Sequence, residues 1–106
     1  MARVSQIRID QQKLAAFCHA HNIRKLWLFG SVLREDFRSD SDIDVLVEFA
    51  PGAGLSLGGF LRVQRELGEL LGRDVDLVQR KSVESSRNYI RRRHILSSLE
   101  PLYVAG

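Results

Sequence analysis

Between Leu26 and Phe49 two apolar runs, Leu26–Phe29 and Val45–Val47, flank a polar segment that opens with Gly30-Ser31 and closes with Asp42-Ile43-Asp44. A short apolar strand that ends on glycine stops where a tight turn or a close backbone approach costs least. Across Asp42-Ile43-Asp44-Val45 polar and apolar residues alternate, the pattern of a strand with one wet and one buried face. Successive strand side chains point to opposite faces, so Asp42 and Asp44 emerge on one side, roughly 6–7 Å apart along the backbone. Two carboxylates that close repel each other, and at neutral pH they must be solvated, share a proton or hold a cation. Magnesium takes oxygen ligands and keeps positions open for water and substrate phosphate, so paired carboxylates suit it.

The first run supplies what the acids lack. Ser31 can cap a short helix over Val32–Phe37, and the free N–H groups of such a first turn make a cradle for phosphate. A third strand is predicted over Asp74-Val75-Asp76-Leu77-Val78, with Val75 and Leu77 facing one way and Asp74, Asp76 and Val78 the other.

Gly30-Ser31, a ten-residue spacer and Asp42-Ile43-Asp44 on a strand together resemble the signature of the polymerase-beta-like nucleotidyltransferases, in particular the minimal type of bacteria and archaea. The contexts Phe29-Gly30-Ser31 and Ser41-Asp42-Ile43-Asp44-Val45 carry the resemblance to the minimal type. It implies a three-carboxylate site in which Asp42, Asp44 and Asp76 are both the catalytic residues and the metal ligands. Two magnesium ions are implied, with manganese as an alternative, and ATP as substrate. Asp76 would also accept the proton of the attacking hydroxyl, while Gly30 and Ser31 would hold the triphosphate. The family often carries Ala-Arg-Gly after Gly-Ser, where this chain has Leu33-Arg34-Glu35. Arg34 matches, and either reaches a phosphate or pairs with Glu35, Asp36 or Asp40. Glu35 in place of glycine adds bulk and negative charge beside the triphosphate.

A chain of 106 residues with 44% apolar and 27% charged residues is expected to form one globular domain, residues 1–106. Apolar stretches fall short of the roughly 20 residues that span a bilayer, and the N-terminus lacks a signal-peptide core, which makes the cytoplasm the default compartment and a membrane partner unexpected. Cys18 is the single cysteine, so no internal disulfide is expected. It reads as a small core residue, since nothing near it marks an activating base.

The remaining helices read as scaffold. The first, over residues 10–21, has Asp10 as cap, Leu14, Phe17 and Cys18 on one face, and Asn22 as a left-handed stop. His19 and His21 read as surface residues rather than a shared metal site. After a turn over residues 50–54, Leu57, Phe60, Leu61, Leu67, Leu70 and Leu71 mark an apolar face between Ser56 as cap and Gly72 as stop. From Arg80 to Glu100 six basic residues stand against two acidic ones, a net of +4, while the whole chain carries +3. Positive charge is therefore concentrated in this segment. It can be a solvated helix face, a docking surface for an acidic protein, or a contact for phosphate. Ile90, His94, Ile95 and Leu99 form a partial stripe, and Trp27 reads as core. Without aromatic residues interleaved among the charges, nucleic acid is not the expected direct ligand.

The expected architecture is thus α/β (α+β): a small mixed sheet from residues 25–29, 43–49 and 75–79, backed by helices near 10–21, 57–71 and 82–99. The resemblance implies transfer of a nucleoside monophosphate, AMP from ATP, to a hydroxyl of a partner protein, and an antitoxin role opposite a HEPN-type ribonuclease. Whether the chain acts alone, as a homo-oligomer or within a larger complex stays open. A catalytically silent module that neutralises a partner by contact is the alternative. An Asp-x-Asp glycosyltransferase and a DNA-binding regulator are weaker ones.

Overall fold

The computed structural model describes residues 3–4, 7–30, 42–52 and 54–105. In chain order the elements are β1 (Arg3–Val4), β2 (Ile7–Arg8), α1 (Gln11–Ala20), β3 (Ile23–Phe29), β4 (Ile43–Phe49), α2 (Leu57–Leu71), β5 (Val75–Gln79), α3 (Arg80–Glu84), α4 (Tyr89–Ser97) and β6 (Glu100–Val104). β1 and β2 form a small antiparallel pair. The main sheet has the order β5-β4-β3-β6 and is mixed: β3 is antiparallel to both β4 and β6, whereas β4 and β5 run parallel. A parallel pair needs a crossover, and α2 supplies it.

Alternation along the central strands splits the core in two. Leu26, Leu28, Val45 and Val47 pack with Leu14, Cys18, Val63 and Leu67, which places α1 and α2 on one side of the sheet. Trp27, Phe29 and Leu46 pack with Val83 and Ile95, which places α3 and α4 on the other. The Arg80 guanidinium lies 4.6 Å from the Trp27 ring centroid, a cation–π contact over a buried indole. Burial pushes the Cys18 thiol up to about 12, so it stays protonated as a small apolar group.

Local signals set the element ends. The Asp10 carboxylate accepts the N–H groups of Gln12 and Lys13, and Ser56 Oγ accepts that of Gly59. Gly72 at φ 72° stops α2, and Asn22 at φ 57° turns the chain into β3. Replacing Asp10 by Ala removes the acceptor for two otherwise unpaired N–H groups of α1, and a loss of about 1 kcal/mol is expected in urea unfolding.

Four expectations need correction. The helix over residues 82–99 is two helices, because Ser85, Ser86 and Asn88 spend their side chains on backbone. Ser85 Oγ donates to the Lys81 carbonyl at 2.9 Å, Ser86 Oγ accepts the Asn88 N–H at 3.2 Å, and Asn88 Oδ1 caps α4 at Arg91 N, 3.0 Å away. Such local bonds compete with helix continuation. Ile90 is 80% exposed and His94 is exposed, so only Ile95 of the expected stripe is buried and Leu99 is half-buried. On α2, Leu57 and Leu61 are 75% and 50% exposed; the buried face is Val63, Leu67 and Leu71. His21 is a bridge rather than a lone surface group: its Nε2 lies 3.2 Å from Glu66 Oε1, tying α1 to α2. Arg62, first, and His21 hold the Glu66 carboxyl below its ordinary range. β6, an edge strand with Pro101, was not expected at all.

Candidate active site

The alternation that divides the core also aims the acids. Asp44 precedes Leu46 by two residues, and Asp76 precedes Val78 by two, so both stand on the α3/α4 side of the sheet. Asp44 and Asp76 are direct partners across the parallel β4–β5 pair, and Asp44 is also opposite Phe29 across β3–β4. Strand register thus sets Asp44 and Asp76 side by side, whereas the expected grouping was of three acids, Asp42 included. Asp42 sits one residue before β4 and is exposed, as is Asp76, whereas Asp44 is half-buried. Among the described residues no group of three His, Cys, Asp or Glu side chains converges as a ligand cluster. Like charges at neighbouring strand positions repel, which opposes such convergence.

Gly30 completes the arrangement. It has φ 78°, and a Cβ placed there would collide with Asp44 Oδ2 and lie 3.2 Å from its Cγ. The backbone leaving β3 and the half-buried acid of β4 are in contact because residue 30 has no side chain. Ser31, Arg34 and Glu35 lie outside the described residues, and so do Val32–Phe37 and the spacer up to Ser41.

A cavity of about 240 Å³ opens at these strand ends, lined by Phe29, Gly30, Asp44, Asp76, Arg91, His94, Ile95 and Ser98. Four of these residues come from α4 and its C-cap. Arg91, His94, Ile95 and Ser98 follow i, i+3, i+4, i+7 spacing, so one helical face meets the acids. The sequence leaves the basic segment open between a solvated face, a surface for an acidic protein and a phosphate contact, sets His94 on the apolar stripe, and does not single out Arg91 or His94 as cavity-lining. The only available signal was that helical spacing around Ile95, the one buried residue of α4.

The cavity thus brings the in-register pair Asp44 and Asp76 together with the side-chain-free backbone of Gly30. The model of the nucleotidyltransferase domain family matches residues 11–98, and the chain belongs to that family; it is a transferase. A Methanocaldococcus jannaschii protein provisionally named a protein adenylyltransferase is 37% identical over 69% of this chain and 76% of its own length. Protein adenylyltransferase MntA of Thermococcus cleftensis is 40% identical over 59% of this chain and 62% of its own length, so less than two thirds of that relative is matched. A solved structure provisionally named a minimal nucleotidyltransferase superposes with TM-score 0.64 at 32% identity, covering 87% of this chain and 88% of its own. A toxin–antitoxin crystal structure with AMP-PNP superposes with TM-score 0.66 at 21% identity, over 92% of this chain and 75% of its own, and at that identity shows the fold alone. The expected mixed-sheet nucleotidyltransferase fold is thereby established. No helix among the described residues is long and apolar enough to cross a membrane.

Proposed function

We propose that this chain transfers AMP from ATP to a hydroxyl group of a partner protein, and that the partner is a HEPN-type toxin for which the chain is the antitoxin. The reading rests foremost on one observation, the in-register pair Asp44 and Asp76 beside the bare backbone of Gly30. Relatives named protein adenylyltransferase support the reaction type. A solved complex of an AMPylated Shewanella oneidensis HEPN toxin with its MNT antitoxin, which shares this fold at TM-score 0.57 and 22% identity, supports the kind of partner.

The donor chemistry fits a hard divalent cation. Asp44 and Asp76 offer carboxylate oxygens at paired positions, and a Cβ at residue 30 would fill the space beside Asp44. Asp42, Asp44 and Asp76 would hold two magnesium ions, or manganese; when bound, such ions neutralise phosphate charge and lower the pKa of a coordinated hydroxyl. The chain's own groups orient and shield. Gly30 and Ser31 hold the triphosphate by backbone N–H and hydroxyl groups, Arg34 is a candidate for a further phosphate contact or for pairing with a neighbouring acid, and Asp76 takes the proton from the attacking hydroxyl. Positioning and charge complementarity carry most of the rate in phosphoryl transfer.

The test is transfer of label from α-labelled ATP, with magnesium, to the product of the neighbouring gene co-purified with this chain. Label on that protein with wild type and none with Asp42→Ala/Asp44→Ala is expected. A stable complex that neutralises the partner equally well in both forms, with no label in either, would replace this reading with neutralisation by contact alone.

A further inference from the structure

The cavity at the strand ends presents a charge problem that the acids alone do not solve. Asp44 and Asp76 form one part of its wall, and a nucleoside triphosphate entering there carries several negative charges of its own. Opposing charge from the protein must lie within reach of the phosphates, preorganised and partly desolvated, to favour binding. Among the described lining residues, Arg91 carries a permanent positive charge, and His94 lies beside it on the same face of α4.

The three consecutive arginines of α4 are not equivalent. Arg92 is committed to scaffold: its Nη1 donates to the carbonyls of Ser86 at 3.3 Å and Glu84 at 3.5 Å, and its guanidinium lies 5.4 Å from the Tyr89 ring centroid. Arg93 is exposed, as Arg91 is, but does not line the cavity. Arg91 does line it, and its place is fixed from both ends of the helix. Asn88 Oδ1 accepts the Arg91 backbone N–H, and Ile95, one turn on, is buried against Trp27 and Leu46. A planar guanidinium can donate two parallel hydrogen bonds to a phosphate, which a point charge cannot.

We propose that Arg91 is the cationic wall of the nucleotide site, with His94 beside it as a hydrogen-bonding group, and holds the phosphate chain of the triphosphate from the α4 side of the cavity. The proposal builds on the nucleotidyl-transfer reading and adds substrate-contacting residues from the basic segment. Phosphate recognition thus draws on the face of α4 as well as on the backbone of Gly30 at the end of β3. It also gives one purpose to the concentrated positive charge of the Arg80–Glu100 segment.

The experiment measures binding of ATP and of inorganic triphosphate, each with magnesium, to wild type, Arg91→Ala, Arg91→Lys and Arg93→Ala, alongside label transfer. Arg91→Ala should weaken both ligands about tenfold or more. Arg91→Lys should recover part of the loss, Arg93→Ala should stay within about twofold at low ionic strength, and all should unfold at the wild-type urea midpoint. Transfer by Arg91→Ala should show its defect chiefly as a raised KM for ATP. Equal losses in Arg91→Ala and Arg93→Ala, wild-type affinity in Arg91→Ala, or no triphosphate binding by wild type would each overturn the proposal. Arg91-dependent triphosphate binding without label on any partner would leave this wall standing and overturn the transfer reading. Label transfer insensitive to Arg91 would do the reverse.

Discussion

Asp76→Asn should abolish nucleotidyl transfer while leaving the fold as stable as wild type or slightly more so. Asp76 is exposed and directly opposite Asp44 across the β4–β5 pair, so its charge contributes repulsion to the folded chain. Removing that charge in the presence of a chelator should raise unfolding free energy by up to about 1 kcal/mol. The same substitution removes a metal ligand and the proton acceptor on the proposed mechanism, and a fall in transfer rate of about 10³-fold is expected, some 4 kcal/mol at the transition state. Magnesium should reverse the stability order, because wild type, with all three acids, gains more from the ions than the variant does. Rates with α-labelled ATP and urea titrations with and without magnesium read the two effects separately. A variant that loses activity and stability together would assign Asp76 to the scaffold.

Gly30→Ala should be costly in both respects. At φ 78° an L side chain is strained by about 1–2 kcal/mol. The added Cβ also meets the Asp44 carboxylate, so the acid must move, and a displacement near 1 Å at a reacting centre costs about 10²-fold in rate. Gly52→Ala is the control: its φ is 81°, with nothing within 4 Å of the added atom. It should lose comparable stability in urea and keep its transfer rate. Equal loss of activity in the two variants would show that global strain, and not the contact with Asp44, governs the site.

Much of this molecule is legible residue by residue. Asp10 and Ser56 as caps, Gly72 and Asn22 as left-handed stops, and the three strands around the acids all follow from interactions within a few residues, which a sequence displays directly. Strand alternation likewise separates exposed Asp76 from its buried neighbours Val75 and Leu77. What could not be read depended on partners distant in the chain. Leu57 and Leu61 fit the apolar periodicity of α2, yet periodicity does not say which of its apolar residues the sheet covers: Val63, Leu67 and Leu71 are buried, and Leu57 and Leu61 are not. β6 is masked by Pro101, which belongs on an edge strand, and its place beside β3 is a long-range pairing. The break between α3 and α4 was within reach, since Ser85, Ser86 and Asn88 are residues that prefer caps to helix interiors.

The sequence by itself determined the family, the carboxylates and the turn glycine, because local spacing on strands carries that information. The tertiary structure alone decided that Asp44 and Asp76 are register partners and that the basic helix α4 packs on their side of the sheet. The first depends on the β4–β5 pairing of residues about 30 positions apart, and the second on Ile95 finding Trp27 and Leu46 some 50 to 70 positions away, and no local pattern encodes either.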